Sequence, residues 1–209
     1  TGVQTCALPI FEELIKTIIS SQSDVLFNLI GFSLGGNIAL RISQLVSENN
    51  LEGVIAISPV LDPAQAMKAM DTQSVIINKY FLRKWKKSIA NKHKHYPDND
   101  LLPALELKSL REITEFFRNK NSEFFSLAEL FHAYAITSEN LKNPQRKTTI
   151  WSAMDDPCIP IDPLLDIQPS KLLDLNITKY GGHCGFIENF SFQSQLEDWI
   201  LQKLQSNTH

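Results

Sequence analysis

Cysteine is scarce in this chain, with three in 209 residues, at Cys6, Cys158 and Cys184. An odd number at wide spacing makes no disulfide framework, and no CxxC or Cys/His metal spacing is present. This points to a reducing compartment, the cytoplasm, and away from structural zinc. Long apolar runs are missing as well. Val25–Ile30 is far too short to span a bilayer, and no charged stretch followed by an apolar one marks a signal peptide. Nor is there an excess of positive charge to draw nucleic acid, since the net charge is -3 and the pI near 5.9. No internal repeat and no low-complexity segment occurs. What remains is 43% hydrophobic and 21% charged, enough apolar matter for one globular core.

The first ten residues, Thr1–Ile10 (TGVQTCALPI), show neither helical nor strand periodicity. They resemble translated sequencing-adapter read-through, so the expectation is a non-native segment over 1–10 and authentic sequence from Phe11. Phe11, Leu14, Ile15, Ile18 and Ile19 then predict an amphipathic helix over Phe11–Ser20. Val25–Ile30 is a nearly continuous apolar run, as a strand buried on both faces requires. Gly31–Gly36 is a turn, and Leu34, Ile38, Ile42, Leu45 and Val46 mark a helix ending near Glu48. Val54–Ile57 is a second buried strand. Strand, helix and strand in this order make the βαβ unit of a parallel sheet.

From about Ala64 to Asn140 the pattern is helical. Ile77, Phe81, Trp85 and Ile89 recur every four residues, and Leu107–Phe117 and Phe124–Tyr134 predict two more helices. A helical cap over 64–140 is therefore expected, inserted into an α/β core made of 11–63 and 141–209. Strands return at Thr148–Trp151 and Leu175–Tyr180, and Phe192, Leu196, Trp199, Ile200 and Leu204 give a closing helix. Within the cap, Lys79, Arg83, Lys84, Lys86, Lys87, Lys92 and Lys94 accompany Tyr80, Phe81 and Trp85. The favoured reading is a solvated helix with one buried face. Contact with a membrane surface or a lipid substrate is the second reading. His93 and His95 lie among these lysines and are read as a solvated helix end or loop rather than as metal ligands.

The sharpest local signal is Gly31-Phe32-Ser33-Leu34-Gly35, a G-x-S-x-G match between a predicted strand and a predicted helix. That is the setting of a nucleophile elbow, in which a serine sits on a strained strand-to-helix turn. Glycines two residues away on each side leave room for strand and helix to cross. The backbone N–H of Leu34 can face an oxyanion, and Phe32 is a further candidate for contact there. A serine needs a base, and in this arrangement the acid and then the histidine follow it in the chain. Asp156 lies just beyond the predicted strand Thr148–Trp151. Asp155 is its rival, but Pro157 and Ile159-Pro160 follow Asp156 as in many hydrolase acid loops. His183 lies in Tyr180-Gly181-Gly182-His183-Cys184-Gly185-Phe186, just after the next strand. His132, inside a cap helix, and the terminal His209 fit the base role less well. An ordinary βα turn, a loop carboxylate and an unpartnered histidine are the bland alternatives.

Gly31-Phe32-Ser33-Leu34-Gly35-Gly36-Asn37, Asp155-Asp156-Pro157 and Gly181-Gly182-His183-Cys184-Gly185-Phe186 resemble the signatures of YheT-like hydrolases, AB hydrolase family 4 of the α/β-hydrolase superfamily. Ser109-Leu110-Arg111-Glu112 and Tyr134-Ala135-Ile136-Thr137-Ser138 resemble family segments that precede the acid. The resemblance implies an α/β-hydrolase fold, a mostly parallel sheet flanked by helices with a helical cap. It also implies a serine hydrolase that cleaves carboxylic esters, lipid esters among the candidates, through Ser33, Asp156 and His183. No metal or organic cofactor is needed. Cys184 stands where an apolar residue such as valine is expected. The upstream strands, and the His-Gly loop that supplies a second oxyanion donor in related enzymes, are expected to be missing. Their loss would expose a sheet edge at Val25–Ile30 and invite aggregation, so the chain alone is expected to be poorly soluble or nearly inactive. An acyltransferase with the same triad and a non-catalytic truncated protein are the alternatives. The ester and the oligomeric state are not legible.

Overall fold

The computed structural model describes residues 7–72, 75–121, 123–187 and 193–207. Cys6, Phe192 and His209 lie outside them. The first helix, α1, runs Ala7–Ser20, so it begins four residues before the boundary that periodicity sets at Phe11. Leu8 packs with Ile15 against Ile19 and Ile42, and this tertiary contact extends the helix beyond its local pattern.

Next come β1 (Phe27–Phe32), α2 (Leu34–Leu45) and β2 (Leu51–Ile57). The segment up to the third strand is helical among the described residues, with α3 (Pro63–Thr72), α4 (Val75–His95), α5 (Leu110–Asn121), α6 (Leu127–Tyr134) and the short α7 (Ser138–Leu141). The chain then returns to the sheet through β3 (Lys147–Ala153), α8 (Asp162–Leu165), β4 (Leu173–Thr178) and α9 (Gln195–Asn207). The four strands lie in the order β1-β2-β3-β4, all parallel.

Side chains alternate across this sheet, as a period of two demands. Val54 and Ala56 of β2 and Ile150 of β3 face α2 and α8, where Leu40 and Leu164, with Ile167 just after α8, complete the layer. Ile55 and Ile57 of β2 with Trp151 and Ala153 of β3 face α9, meeting Leu196, Trp199, Ile200 and Leu204. Both faces are covered, so β2 and β3 read as unbroken apolar runs. β1 departs from that expectation. It is half-buried along most of its length, and Val25 and Leu26, placed in the strand by sequence, precede it and are exposed. Among the described residues β1 is an edge strand, with a neighbour on one side only.

The two ends of the helical segment are tied together on α2. Asn37 of α2 is fully buried, and its amide donates to the Val60 carbonyl at 2.7 Å and the Tyr134 carbonyl at 2.8 Å. Val60 lies where the chain leaves the sheet and Tyr134 where it returns. Arg41, one turn further, donates to the Ala133 carbonyl at 2.8 Å and stacks over Tyr134. The Ile136 N–H donates to the Leu61 carbonyl at 2.8 Å, closing the neck of the insertion.

Candidate active site

β1 ends at Phe32 and α2 starts at Leu34, so Ser33 alone makes the turn between them. It does so at φ 52° and ψ -119°, a conformation that costs a non-glycine residue of order 1–3 kcal/mol. Three bonds hold it there. The Ser33 N–H donates to the Ile57 carbonyl at 2.8 Å, and the Ser33 carbonyl accepts from Val60 N–H at 3.3 Å and from Asn37 N–H at 3.2 Å. The latter is the first bond of the α2 ladder, which leaves the N–H groups of Leu34, Gly35 and Gly36 ahead of it, at the positive end of the helix. The side chains of Phe32 and Leu34 are exposed beside the turn.

The glycines of the motif divide their roles differently from the sequence expectation. A Cβ at Gly31 would come within 2.2 Å of the Gly35 carbonyl oxygen, and one at Gly36 within 3.0 Å of Pro59 Cβ. A Cβ at Gly35 would meet nothing. The strand–helix crossing therefore depends on Gly31 and Gly36. Gly35 contributes its backbone to the contact and has open space on its own side.

β3 ends at Ala153, and the following loop buries Asp156. One carboxylate oxygen, Oδ1, accepts from the backbone N–H of Cys158 at 2.8 Å and of Ile159 at 3.0 Å. The other, Oδ2, lies 2.9 Å from Nδ1 of His183. Asp155 plays a different part, accepting from the Gly182 N–H at 2.8 Å. Both acids act on the histidine loop, but only Asp156 touches the ring.

That loop is wound tightly. Gly182, Cys184 and Phe186 all have positive φ, at 58°, 62° and 46°, and the Phe186 N–H closes on the Gly181 carbonyl at 2.7 Å. Buried Phe186 anchors it, packing edge-on to Trp199, which in turn meets Trp151. A Cβ at Gly181 would strike the Phe186 ring at 2.7 Å, so this glycine is needed for space and Gly182 for its backbone angle.

The loop reaches the serine turn through a shared atom. The Ile57 carbonyl that accepts from Ser33 N–H also receives the Cys184 thiol, with Sγ at 3.9 Å. Asp156 and His183 are thus in direct contact, and Ser33 meets their loop at Ile57. The Ser33 hydroxyl and the His183 ring form no hydrogen bond among the described residues, and the recorded partner of the ring is Asp156. A groove of about 470 Å³ between β4 and α9, bounded by Trp151, Thr178 and Lys203, includes none of the three.

Charge on the imidazole is opposed by burial. The bond to Asp156, the neighbouring Cys184 and the negative charge around them outweigh that, and push the His183 pKa up from 6.5 to about 10.

The chain is similar to known proteins in sequence and in shape. It is 26% identical over 192 residues to the Escherichia coli (strain K12) protein named Putative esterase YheT. The match takes in 86% of this chain, which spans only 56% of that relative's length. No family model matches. Among solved structures, the Pyrococcus furiosus esterase PF2001 superposes with a TM-score of 0.57 at 14% identity, covering 100% of this chain and 64% of that one. A 2-hydroxy-6-oxo-6-phenylhexa-2,4-dienoate hydrolase from Rhodococcus superposes with a TM-score of 0.56 at 14% identity, covering 95% of this chain and 70% of that one.

The chain has the α/β-hydrolase fold. In an α/β-hydrolase the ends of parallel strands carry the chemistry, and here the Ser33 turn, the Asp156 loop and the His183 loop follow β1, β3 and β4.

Two residues of this fold are not legible in the sequence. Asn37 was legible only as part of the motif string, because its partners lie 23 and 97 residues away. Cys158 was set aside as an isolated cysteine. Its sulfur, an Asp156 oxygen and a His183 nitrogen all lie within 4.8 Å of one another, a donor set of the kind that holds thiophilic cations. Burial first, then the Asp156 carboxylate and Cys184, push the Cys158 thiol up to about 12. The thiol therefore stays protonated at neutral pH and is a poor ligand as it stands.

Proposed function

We propose that this chain is a serine hydrolase that cleaves carboxylic esters through an acyl-enzyme on Ser33. The observation that carries the reading is the buried Asp156 carboxylate held by two backbone N–H groups and pointed at His183 Nδ1. With Nδ1 so engaged, Nε2 is the nitrogen left to act as base.

His183 Nε2 takes the hydroxyl proton as Ser33 Oγ attacks the ester carbonyl carbon. The negative charge passes to the carbonyl oxygen, where the Leu34 N–H at the start of α2 is placed to receive it. Collapse of the tetrahedral intermediate breaks the bond to the alkoxy oxygen, which takes the proton from His183 and leaves as an alcohol. Water, deprotonated by the same nitrogen, then attacks the acyl-serine, and as the second tetrahedral intermediate collapses His183 returns that proton to Ser33 Oγ and the acid is released. Asp156 stays ionised throughout and stabilises the imidazolium. The name of the YheT relative agrees with this chemistry.

The test is hydrolysis of p-nitrophenyl esters of graded chain length by this chain and by Ser33→Ala. Slow turnover by the parent that disappears in the variant is expected. Equal turnover by both would exclude Ser33 as nucleophile.

A further inference from the structure

We propose that the exposed face of α4 is a docking surface for a membrane of anionic phospholipid. This goes beyond ester hydrolysis and requires none of the chemistry at Ser33.

Helix α4 holds seven of the chain's twenty Lys and Arg and none of its twenty-three Asp and Glu. In a chain of net charge -3, the remainder is therefore strongly acidic and this helix is the basic exception. Its inner face is apolar and occupied. Phe81, Leu82 and Trp85 pack on Leu110, Leu127 and Phe131, while Ile77 and Phe81 pack on Cys158 and Ile159 of the acid loop. The outer face carries Lys79, Arg83, Lys84, Lys87 and Lys94, all exposed. None of these five pairs with a carboxylate among the described residues.

The same outer face also carries apolar groups that a solvated helix would not need. Val75 is 69% exposed, Ile76 80% and Tyr80 54%. Ile76, Tyr80, Arg83, Lys87 and Lys94 recur at three- and four-residue steps or their multiples, which puts them on one stripe. Apolar side chains stand at the N-terminal end of that stripe and cations along the rest, over about 30 Å of helix. Apolar groups that can enter the headgroup layer, beside a cluster of cations without counter-charges, make a surface complementary to anionic lipid. Because the inner face of α4 rests on the acid loop, docking through the outer face would hold the active-site end of the molecule close to the bilayer.

The test is flotation of the Ser33→Ala protein with vesicles of phosphatidylcholine alone and with added phosphatidylglycerol. Using the inactive variant separates docking from hydrolysis. Binding to the anionic vesicles only is expected, falling steeply as salt rises from about 0.05 to 0.5 M. The combination K79E/R83E/K84E/K87E should lower the partition coefficient by about 10²-fold or more, with circular dichroism confirming its fold. Replacing Ile76 and Tyr80 by serine should weaken binding that persists at high salt. No binding to anionic vesicles, equal binding to both kinds, or unchanged binding by the fourfold variant would overturn the proposal. So would displacement from the vesicles by poly(U) at equal phosphate concentration, which would assign the face to nucleic acid.

Discussion

His183 Nδ1 lies 2.9 Å from Asp156 Oδ2, while the other oxygen of the same carboxylate accepts from the N–H groups of Cys158 and Ile159. The acid is thus fixed by its own loop before it meets the ring. Asp155, the adjacent carboxylate, holds the Gly182 N–H instead. Asp156→Asn is expected to lower kcat for ester hydrolysis by about 10⁴-fold, by favouring the wrong tautomer of the base. Asp155→Asn should cost far less, since it loosens the loop and leaves the ring bond in place. Side-by-side kinetics of the two variants decide the matter. Equal losses would mean that the two carboxylates share the role.

The raised pKa of His183 sets a direction for pH dependence. Catalysis needs the neutral imidazole, so kcat/KM should rise with pH, with a midpoint above the ordinary 6.5. Stability should move the other way. The folded state binds this proton more tightly than the unfolded chain, so the contribution is complete below about pH 6.5 and is lost as pH rises toward about 10. Urea denaturation of the wild type and His183→Gln across that window should show the difference shrinking with pH. Parallel stability curves would contradict the assignment.

The glycines give a prediction that the motif alone would not. Gly31→Ala drives a Cβ to 2.2 Å from a backbone oxygen, and should destabilise the fold by about 3 kcal/mol or more, at or beyond the usual cost of overpacking. Gly36→Ala, at 3.0 Å from Pro59 Cβ, should cost about 1–3 kcal/mol. Gly35→Ala has open space and a helical backbone, and should be neutral or stabilising by up to about 1 kcal/mol. Thermal or urea melts of the three variants would show whether the order holds.

Asn37 ties both ends of the helical insertion to α2. Asn37→Leu leaves the Val60 and Tyr134 carbonyls without their buried donor, at about 1–3 kcal/mol for each group. Amide hydrogen exchange should then speed up first at the neck of the insertion, around Val60–Leu61 and Tyr134–Ile136, rather than in β2 and β3. Uniform acceleration across the chain would argue that the insertion has no separate attachment.

What the sequence made legible follows from the range of each interaction. The strained turn at Ser33 and the contact between Asp156 and His183 could be anticipated because each residue sits just past an apolar run, and because the proposed order of nucleophile, acid and base is carried by the chain itself. The alternation that buries β2 and β3 is likewise local. The exposed edge at β1 was expected from the family resemblance and not from the strand itself, because Phe27–Phe32 is nearly as apolar as a central strand. The start of α1 at Ala7 depends on Leu8 meeting α2. Cys158 joins Asp156 and His183 through loop winding, and Gly36 rather than Gly35 is crowded because Pro59 arrives from another strand end. The buried face of α4 was legible as the four-residue recurrence of Ile77, Phe81, Trp85 and Ile89, whereas the exposure of apolar Ile76 beside it was not.

The central claim is an activated serine at position 33, and a fluorophosphonate probe tests it most directly. Intact mass after exposure should show one adduct, and peptide mapping should place it on Ser33. The adduct should be absent from Ser33→Ala and form much more slowly in His183→Ala. An unchanged mass for the parent chain, or an adduct on any other residue, would contradict the account.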